Sequence, residues 1–294
     1  MSYLLERLPS GSRIAVIRLR SLGDCVLTTP ALTLLKTHRP DLRIGVVVED
    51  PWRDIFEEFE ILPPRRSAIR GWHPDMVLNL HGGTRSMWLT ATSGAQVRAG
   101  FAHHAYSFLY NAKIPRAQEI LGDPRRVHTA EHLASAMFWM GVPRTEIPRA
   151  QLSADPVAIA GPYTVLHPFA ATPDKTWPAE RFLDVAEHLT NPVFLAGPND
   201  DPTPFAKFRV FQNAPLAEVK SIIAGAQLFI GNDSGPAHIA AAFGVPVVVL
   251  FGPSDPVNWA PWRTEGHVLT NPEGIDRIRV DEVIAAADAL RVRA

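Results

Sequence analysis

Residues 13–48 read RIAVIRLRSLGDCVLTTPALTLLKTHRPDLRIGVVV. An apolar run, Arg13–Leu19, leads into a polar turn at Ser21–Asp24. Apolar residues then recur at helical spacing over Leu27–Thr37, and a second apolar run covers Arg43–Val48. Strand, helix and strand in that order make a βαβ unit, whose two strands run parallel. Outward from it the alternation continues. Pro51–Glu58 predicts the start of a helix, Met76–Leu80 a strand, a helix follows from about Arg85, and His128–Met140 reads as a long closing helix. Gln151–Pro162 (QLSADPVAIAGP) loses periodicity and gains Pro and Gly, as a linker does. The pattern then restarts. Strands are expected at Tyr163–Leu166, Pro192–Ala196, Leu228–Gly231 and Val245–Phe251, and helices at Pro178–Leu189, Leu216–Ala224, Gly235–Phe243 and Val280–Leu290. The fold class is therefore α/β with two doubly wound domains, 1–155 and 156–294, a division that the 294-residue length favours. Open parallel sheets bind ligands at the carboxyl ends of their strands, and two such domains facing each other make a cleft.

The composition bounds the function. With 46% hydrophobic and 20% charged residues, the chain has the balance of a soluble globular protein. No apolar run reaches the roughly 18 residues of a membrane span. The start, MSYLLERLPSGSR, lacks the basic-then-apolar order of a secretion signal, so a cytoplasmic location is expected. A single cysteine, Cys25, excludes an internal disulfide. Residues 1–155 hold 19 Lys and Arg against 15 Asp and Glu, and the remainder 10 against 15. A modestly basic first half suits an anionic partner, or is a solvated face. The net charge of −1 argues against nucleic-acid binding.

Three clusters follow predicted strands. In the first, Ser21, Gly23 and Asp24 precede a helix whose amino end attracts anions. Asp24 also suits an N-cap. The segment is not GxGxxG, the pattern of a dinucleotide oxidoreductase at this place. In the second, His167–Arg181 (HPFAATPDKTWPAER), Lys175 sits in a loop where a cation could neutralise a diphosphate, or is an exposed lysine. Trp177 reads as packing. The third, Gly231–Pro256 (GNDSGPAHIAAAFGVPVVVLFGPSDP), places Asp233 and Ser234 before a helix of small residues. The N–H groups of Ser234, Gly235 and Ala237 are expected to form an anion site. His238 lies near the same end, facing the site or satisfied in the core.

These clusters resemble the heptosyltransferase family (glycosyltransferase family nine), through RLRSLGDCVLTTPAL, DKTWP and GNDSGPAHIAAAFGVPVVVLFGPSDP. The resemblance spans nearly the whole chain. It implies a GT-B fold of two Rossmann-like domains, an ADP-activated heptose donor and no metal or other cofactor. It also implies inversion at the anomeric carbon and an anionic glycolipid or oligosaccharide acceptor of the lipopolysaccharide-core type. The first domain would bind the acceptor and the second the nucleotide-sugar. Asp24 matches the family's catalytic base, and Ser21 and Gly23 its first loop beside the donor sugar. Lys175 matches the lysine on the donor diphosphate, which makes it the second catalytic residue. Asp200 matches an acid on the nucleotide ribose, Asp233 an aspartate on the donor sugar, and Ser234, Gly235 and His238 the diphosphate binders.

The chain departs from the family pattern in the loop before the lysine. Ala170 and Ala171 stand where relatives carry hydroxyls, so Thr172 is the donor-contact candidate there, and the stretch between Leu195 and Phe211 is compressed. Arg65, Arg66, Arg70, Arg85 and Arg98 are candidate acceptor contacts. Peripheral contact with the inner membrane, at its inner face, and a monomeric state complete the expectations. A nucleotide-sugar epimerase on the same fold would form product without acceptor. A non-catalytic nucleotide-sugar-binding protein would bind ADP and turn nothing over.

Overall fold

The computed structural model describes residues 3–155, 157 and 159–291. The chain separates into two compact units, Met1–Gln151 and Leu152–Ala294. The sequence places the division after Asp155, in a linker whose Pro156 and Ala158 lie outside the described residues.

The first unit contains strands β1 (Arg13–Ile17), β2 (Arg43–Val47), β3 (Glu60–Leu62), β4 (Met76–Asn79), β5 (Val97–Phe101) and β6 (Ala112–Ile114). Its helices are α1 (Leu22–His38), α2 (Arg66–Gly71), α3 (Thr84–Thr92), α4 (Ala117–Leu121) and α5 (Thr129–Met140). The strands are all parallel, in the order β3-β2-β1-β4-β5-β6. Helix α1 is buried at every position from Cys25 to Leu32, where it packs on α5. A helix apolar on all sides is a buried helix. Pro30 stands inside α1 and has no N–H to give the Val26 carbonyl. The Thr29 hydroxyl donates to that carbonyl instead, at 2.9 Å, so the backbone acceptor is satisfied without the helical bond.

The second unit contains strands β7 (Thr164–His167), β8 (Pro192–Ala196), β9 (Arg209–Gln212), β10 (Leu228–Asn232), β11 (Val247–Phe251) and β12 (Gly266–Thr270). Its helices are α6 (Ala179–His188), α7 (Leu216–Ala224), α8 (Gly235–Phe243), α9 (Pro256–Trp259) and α10 (Val280–Arg291). These strands are also parallel, in the order β12-β11-β10-β7-β8-β9. Counted from each unit's own first strand, the two orders are the same. It is the doubly wound, Rossmann-like order, with one switch point per sheet, between β1 and β4 and between β7 and β10.

Several expectations are met to the residue: Pro192–Ala196, Leu216–Ala224 and Gly235–Phe243. Others are corrected. Helix α1 begins at Leu22, so the Ser21–Asp24 turn is part of its first turn. The helix expected over Pro51–Glu58 is a short 3-10 turn, Asp50–Ile55, that ends where the fully buried Phe56 enters the core. Strands β3, β5, β6, β9 and β12 had no expectation. No helix among the described residues is long and apolar enough to cross a membrane.

The second core is built around Trp177, which is fully buried with Phe182, Phe194 and Phe205. Its ring meets Phe182 edge-on at 5.0 Å, and its Nε1–H donates to the Ile278 carbonyl at 3.0 Å. Trp177→Ala therefore removes a large packed side chain from this core, while the Ile278 carbonyl keeps a donor in Arg181 Nη1 at 2.8 Å. The substitution should cost about 3–5 kcal/mol, read as a lower midpoint of chemical denaturation.

Candidate active site

In the first unit the switch point is formed by the segments leaving β1 and β4. After β1 the chain passes Arg18 and reaches Ser21, the N-cap of α1, in extended backbone. Asp24 is the third residue of the helix, and its Oδ2 accepts the Ser21 N–H at 3.4 Å and the Ser21 hydroxyl at 3.1 Å. The capping residue is thus Ser21, and Asp24, expected as the N-cap, closes a capping box as the third helical residue instead. Gly23 lies between them in the same turn. The other carboxylate oxygen, Oδ1, accepts from Arg18 Nη1 at 3.2 Å. The Arg18 side chain is 7% exposed and the Asp24 side chain 25%. Burial pulls the Arg18 guanidinium below its ordinary value, and Asp24 opposes that pull. Asp24 is therefore a carboxylate oriented from two sides with part of its surface open, the arrangement a general base requires.

The segment after β4 begins at Asn79, whose side chain is fully buried. Its Nδ2 donates to Ser86 Oγ at 3.1 Å, and its Oδ1 accepts the N–H groups of His81 and Gly82 at 3.0 and 3.1 Å. His81 is thereby held beside the Arg18–Asp24 pair, which acts on it electrostatically. Further along the same edge, His132 of α5 stacks on Phe101 at 4.0 Å, with His103 5.4 Å from its ring. His104 Nδ1 lies 3.1 Å from the Tyr110 hydroxyl. Burial, then the neighbouring histidines and Arg18, push His104 and His132 down to about 4. Burial also lowers His81 and His103. Gly82 has φ +79°, and a Cβ there would lie 2.5 Å from the His104 ring. Glycine is what lets this histidine pack under the loop.

In the second unit the switch point is formed by the segments leaving β7 and β10. Asn232, the last residue of β10, is fully buried. Its Nδ2 donates to the Pro168 carbonyl at 2.9 Å, and its Oδ1 accepts the Trp177 N–H at 3.1 Å. These two bonds pin both ends of the 168–177 loop. Within that loop Thr172 caps a 3-10 turn, Pro173–Lys175, its carbonyl accepting from Lys175 N–H and Thr176 Oγ1. Lys175 Nζ reaches Asp233 Oδ2 at 3.2 Å, with side chains 32% and 9% exposed. A Cβ at Gly252 would lie 2.3 Å from the Asp174 carbonyl, so only glycine allows the end of β11 to approach this turn.

Beside the ion pair, α8 begins at its N-cap, Ser234. The Ser234 hydroxyl pairs with His167 Nδ1 at 3.1 Å, and burial pushes His167 down to about 4. The Ala237 N–H is taken by the Ser234 carbonyl and the Asp233 N–H by the Leu250 carbonyl. The anion site expected at three amides is thus left with those of Ser234 and Gly235. His238 is buried within α8. Asp200 follows β8, and its Oδ2 accepts the Gly197 N–H at 2.7 Å. An ammonium and two amides at a helix amino end make a site for an anionic group, and the carboxylate of Asp233 beside them is an acceptor for hydroxyls.

The five candidate arginines are not one group. Arg65 ends the connection from β3 and Arg66 opens α2, both exposed. Arg70 is at the far end of α2, near Gly94. Arg85 pairs with Glu49 at 2.6 Å and donates to the Pro64 carbonyl at 3.3 Å. Arg98 is held by the Leu109 and Ala95 carbonyls at 3.2 and 3.3 Å, so its guanidinium braces the loop after β5. Arg18, Asn79, the four histidines, Asn232 and Gly252 were not among the sequence candidates. Position after a predicted strand was a signal only for His81, Asn232 and Gly252; Arg18 and Asn79 stand within predicted strands, His132 within a predicted helix, and His103 and His104 follow a strand that had no expectation. Among the described residues, no group of three or more His, Cys, Asp or Glu is placed to hold a metal ion.

The lowered histidines link stability to pH. A neutral imidazole that resists protonation when folded binds its proton more readily when unfolded, so acid favours the unfolded chain. Stability should fall as pH drops from about 6.5, the ordinary histidine value, towards about 4, the value of His104 and His132. Thermal melts across that window should show a shallower slope for His132→Phe than for the wild type.

A family model, glycosyltransferase family 9 (heptosyltransferase), matches residues 66–280. Lipopolysaccharide heptosyltransferase 3 of Escherichia coli is 26% identical over 287 residues, 82% of this chain and 83% of that protein. Among solved structures, a glycosyl transferase family 9 protein from Veillonella parvula DSM 2008 superposes with a TM-score of 0.84 at 23% identity, over 96% of this chain and 98% of that one. The E. coli heptosyltransferase WaaC with ADP gives 0.80 at 20% identity, over 95% and 99%. These likenesses show the fold to be that of the GT-B structures.

Proposed function

The chain belongs to glycosyltransferase family 9 (heptosyltransferase), and from that premise we propose that it moves heptose from ADP-heptose to a lipopolysaccharide-core acceptor, with inversion and without a metal ion. The relatives' names support the sugar and the acceptor, and the ADP in WaaC supports the nucleotide. The observation that carries the reading is the Lys175–Asp233 pair at 3.2 Å beside the open amides of Ser234 and Gly235. On this reading the donor diphosphate lies against α8, in contact with Lys175, Thr172 and the two amides. Asp233 meets the sugar and Asp200 the ribose.

An acceptor hydroxyl attacks the anomeric carbon as the bond to the diphosphate oxygen breaks. The hydroxyl proton passes to Asp24, and the departing ADP takes the bonding electrons. Charge then grows on the diphosphate, where Lys175 and the helix amides are already oriented to receive it. Arg18 and Ser21 act through Asp24 by fixing the direction of its carboxylate. The acceptor's anionic groups are met by Arg65, Arg66 and Arg85.

Calorimetric titration of ADP in EDTA should give binding to the wild type and at least about tenfold weaker binding to Lys175→Ala. A charge-assisted hydrogen bond is worth about 1.5–3 kcal/mol, and the unpaired Asp233 would add repulsion. A requirement for added metal, or a preference for UDP, would overturn the donor assignment. Asp24→Asn keeps the side-chain shape and removes the base. It should lower kcat about 10²–10⁴-fold with KM for the donor nearly unchanged, and full activity in this variant would remove Asp24 from the chemistry. Product formed from nucleotide-sugar alone would turn the reading to an epimerase.

A further inference from the structure

Ser234 is the N-cap of α8, yet its hydroxyl caps nothing. A capping serine ordinarily accepts the N–H of the second or third helical residue. Here the second is Pro236, which has no N–H, and the Ala237 N–H goes to the Ser234 carbonyl at 3.2 Å. The hydroxyl is thereby released from the helix, and it pairs with His167 Nδ1 at 3.1 Å. His167 closes β7 and Ser234 stands two residues beyond β10, the neighbouring strand, so the pair spans the switch point of the second sheet.

The His167 ring has little freedom. Phe169 meets it edge-on at 6.0 Å, and Phe205 holds Phe169 edge-on at 5.9 Å. Burial pushes the imidazole down to about 4, with the Asp200 carboxylate opposing. It is therefore neutral near pH 7 and has one N–H to give. Strand β7 stands between β8 and β10, so His167 has the Asp200 segment on one side and the Ser234 segment on the other. The single hydrogen of the Ser234 hydroxyl makes the direction of this bond matter. Spent on Nδ1, it leaves only lone pairs for an anion at the Ser234 and Gly235 amides. If Nδ1 carries the imidazole hydrogen, Ser234 accepts from it and keeps its own hydrogen for the anion.

We propose that His167 is a positioning residue for the donor diphosphate: held as the Nδ1–H tautomer, it donates to Ser234 Oγ and turns the Ser234 hydroxyl hydrogen towards the anion at the amino end of α8. The identity of that anion rests on the proposed function. His167 touches neither the diphosphate nor the reacting atoms and acts through Ser234 alone. The imidazole N–H polarises the hydroxyl it points at, which strengthens the outward bond. The hydroxyl then joins the Lys175 ammonium and the amides of Ser234 and Gly235 as a donor oriented before charge grows on the leaving group.

The test is calorimetric ADP binding at about pH 7 by the wild type, His167→Phe, Ser234→Ala, the double variant and His167→Asn. Ser234→Ala and His167→Phe should each bind ADP about tenfold more weakly, the size of one hydrogen bond to a charged group. The double variant should be no weaker than Ser234→Ala, because nothing is left for the imidazole to direct. His167→Asn should recover most of the loss, since its Nδ2, like the imidazole Nδ1, is bonded to Cγ and carries hydrogen. Nitrogen-15 shifts of the wild type with ADP should show the His167 hydrogen on Nδ1 and none on Nε2, the signal being assigned by its loss in His167→Asn. Losses that multiply in the double variant, wild-type affinity in His167→Phe, or the hydrogen found on Nε2 would overturn the proposal. The spectrum decides alone if His167→Phe does not fold. No ADP binding by the wild type would instead overturn the proposed function, and this inference with it.

Discussion

A fully buried asparagine ends the fourth strand of each sheet, and the geometry of each site depends on it. Asn79 and Asn232 are both inaccessible, and both have donors and acceptors satisfied by the segments that leave the sheet beside them. A buried amide left without partners costs about 1–3 kcal/mol per group. The loops are thus held by the same free energy that keeps the amide satisfied. Asn232 fixes the two ends of the Lys175 loop, and Gly252 leaves the room in which that loop lies. Asn79 fixes His81 and Gly82 next to Arg18. A parallel sheet supplies the position, because both residues stand at a switch point where connections diverge and a crevice opens.

Around these anchors the two units present opposite electrostatics. The first presents a carboxylate braced by a buried guanidinium, with neutral imidazoles farther along the edge. The second presents an ammonium and helix amides. The Arg18–Asp24 pair is the more constrained of these, because the guanidinium is taken out of water and Asp24 is the carboxylate that compensates it. Breaking such a pair leaves an uncompensated buried charge, so the same contact serves stability and orientation. In the Lys175–Asp233 pair only the ammonium is open, 32% exposed against 9% for the carboxylate, so Lys175 can meet a ligand anion on its open side while it keeps Asp233 compensated.

The sequence was most legible where burial was complete. Strand β8 and helices α7 and α8 could be read to the residue, because a fully buried strand is a continuous apolar run and an amphipathic helix repeats at 3.6. The unread strands include all four sheet edges, β3, β6, β9 and β12. Edge strands are short and half in water, so Glu60–Leu62 and Arg209–Gln212 carry no run that separates them from loops. Strand β5 was hidden in the same way by Arg98 and Gly100. Asp24 was placed correctly after β1, but it was expected as the N-cap, and the cap is Ser21 with Asp24 as the third helical residue. A Ser and an Asp three residues apart can both cap, and only the backbone of Ser21 decides which does.

By itself the sequence determined the class of the fold, the two-unit division and the three clusters after strands β1, β7 and β10. Those follow from local periodicity and from the few residue types that can begin a helix or turn a chain. It could not decide which side chains meet. The Lys175–Asp233 contact joins residues far apart in the chain, and the assembly of His81, His103, His104 and His132 draws on three separate elements. Nor could it separate Arg98, bound to backbone carbonyls, from Arg65 and Arg66, which are exposed. Such pairings are set by strand order and loop closure, and strand order is a property of the whole sheet that no local window of sequence contains.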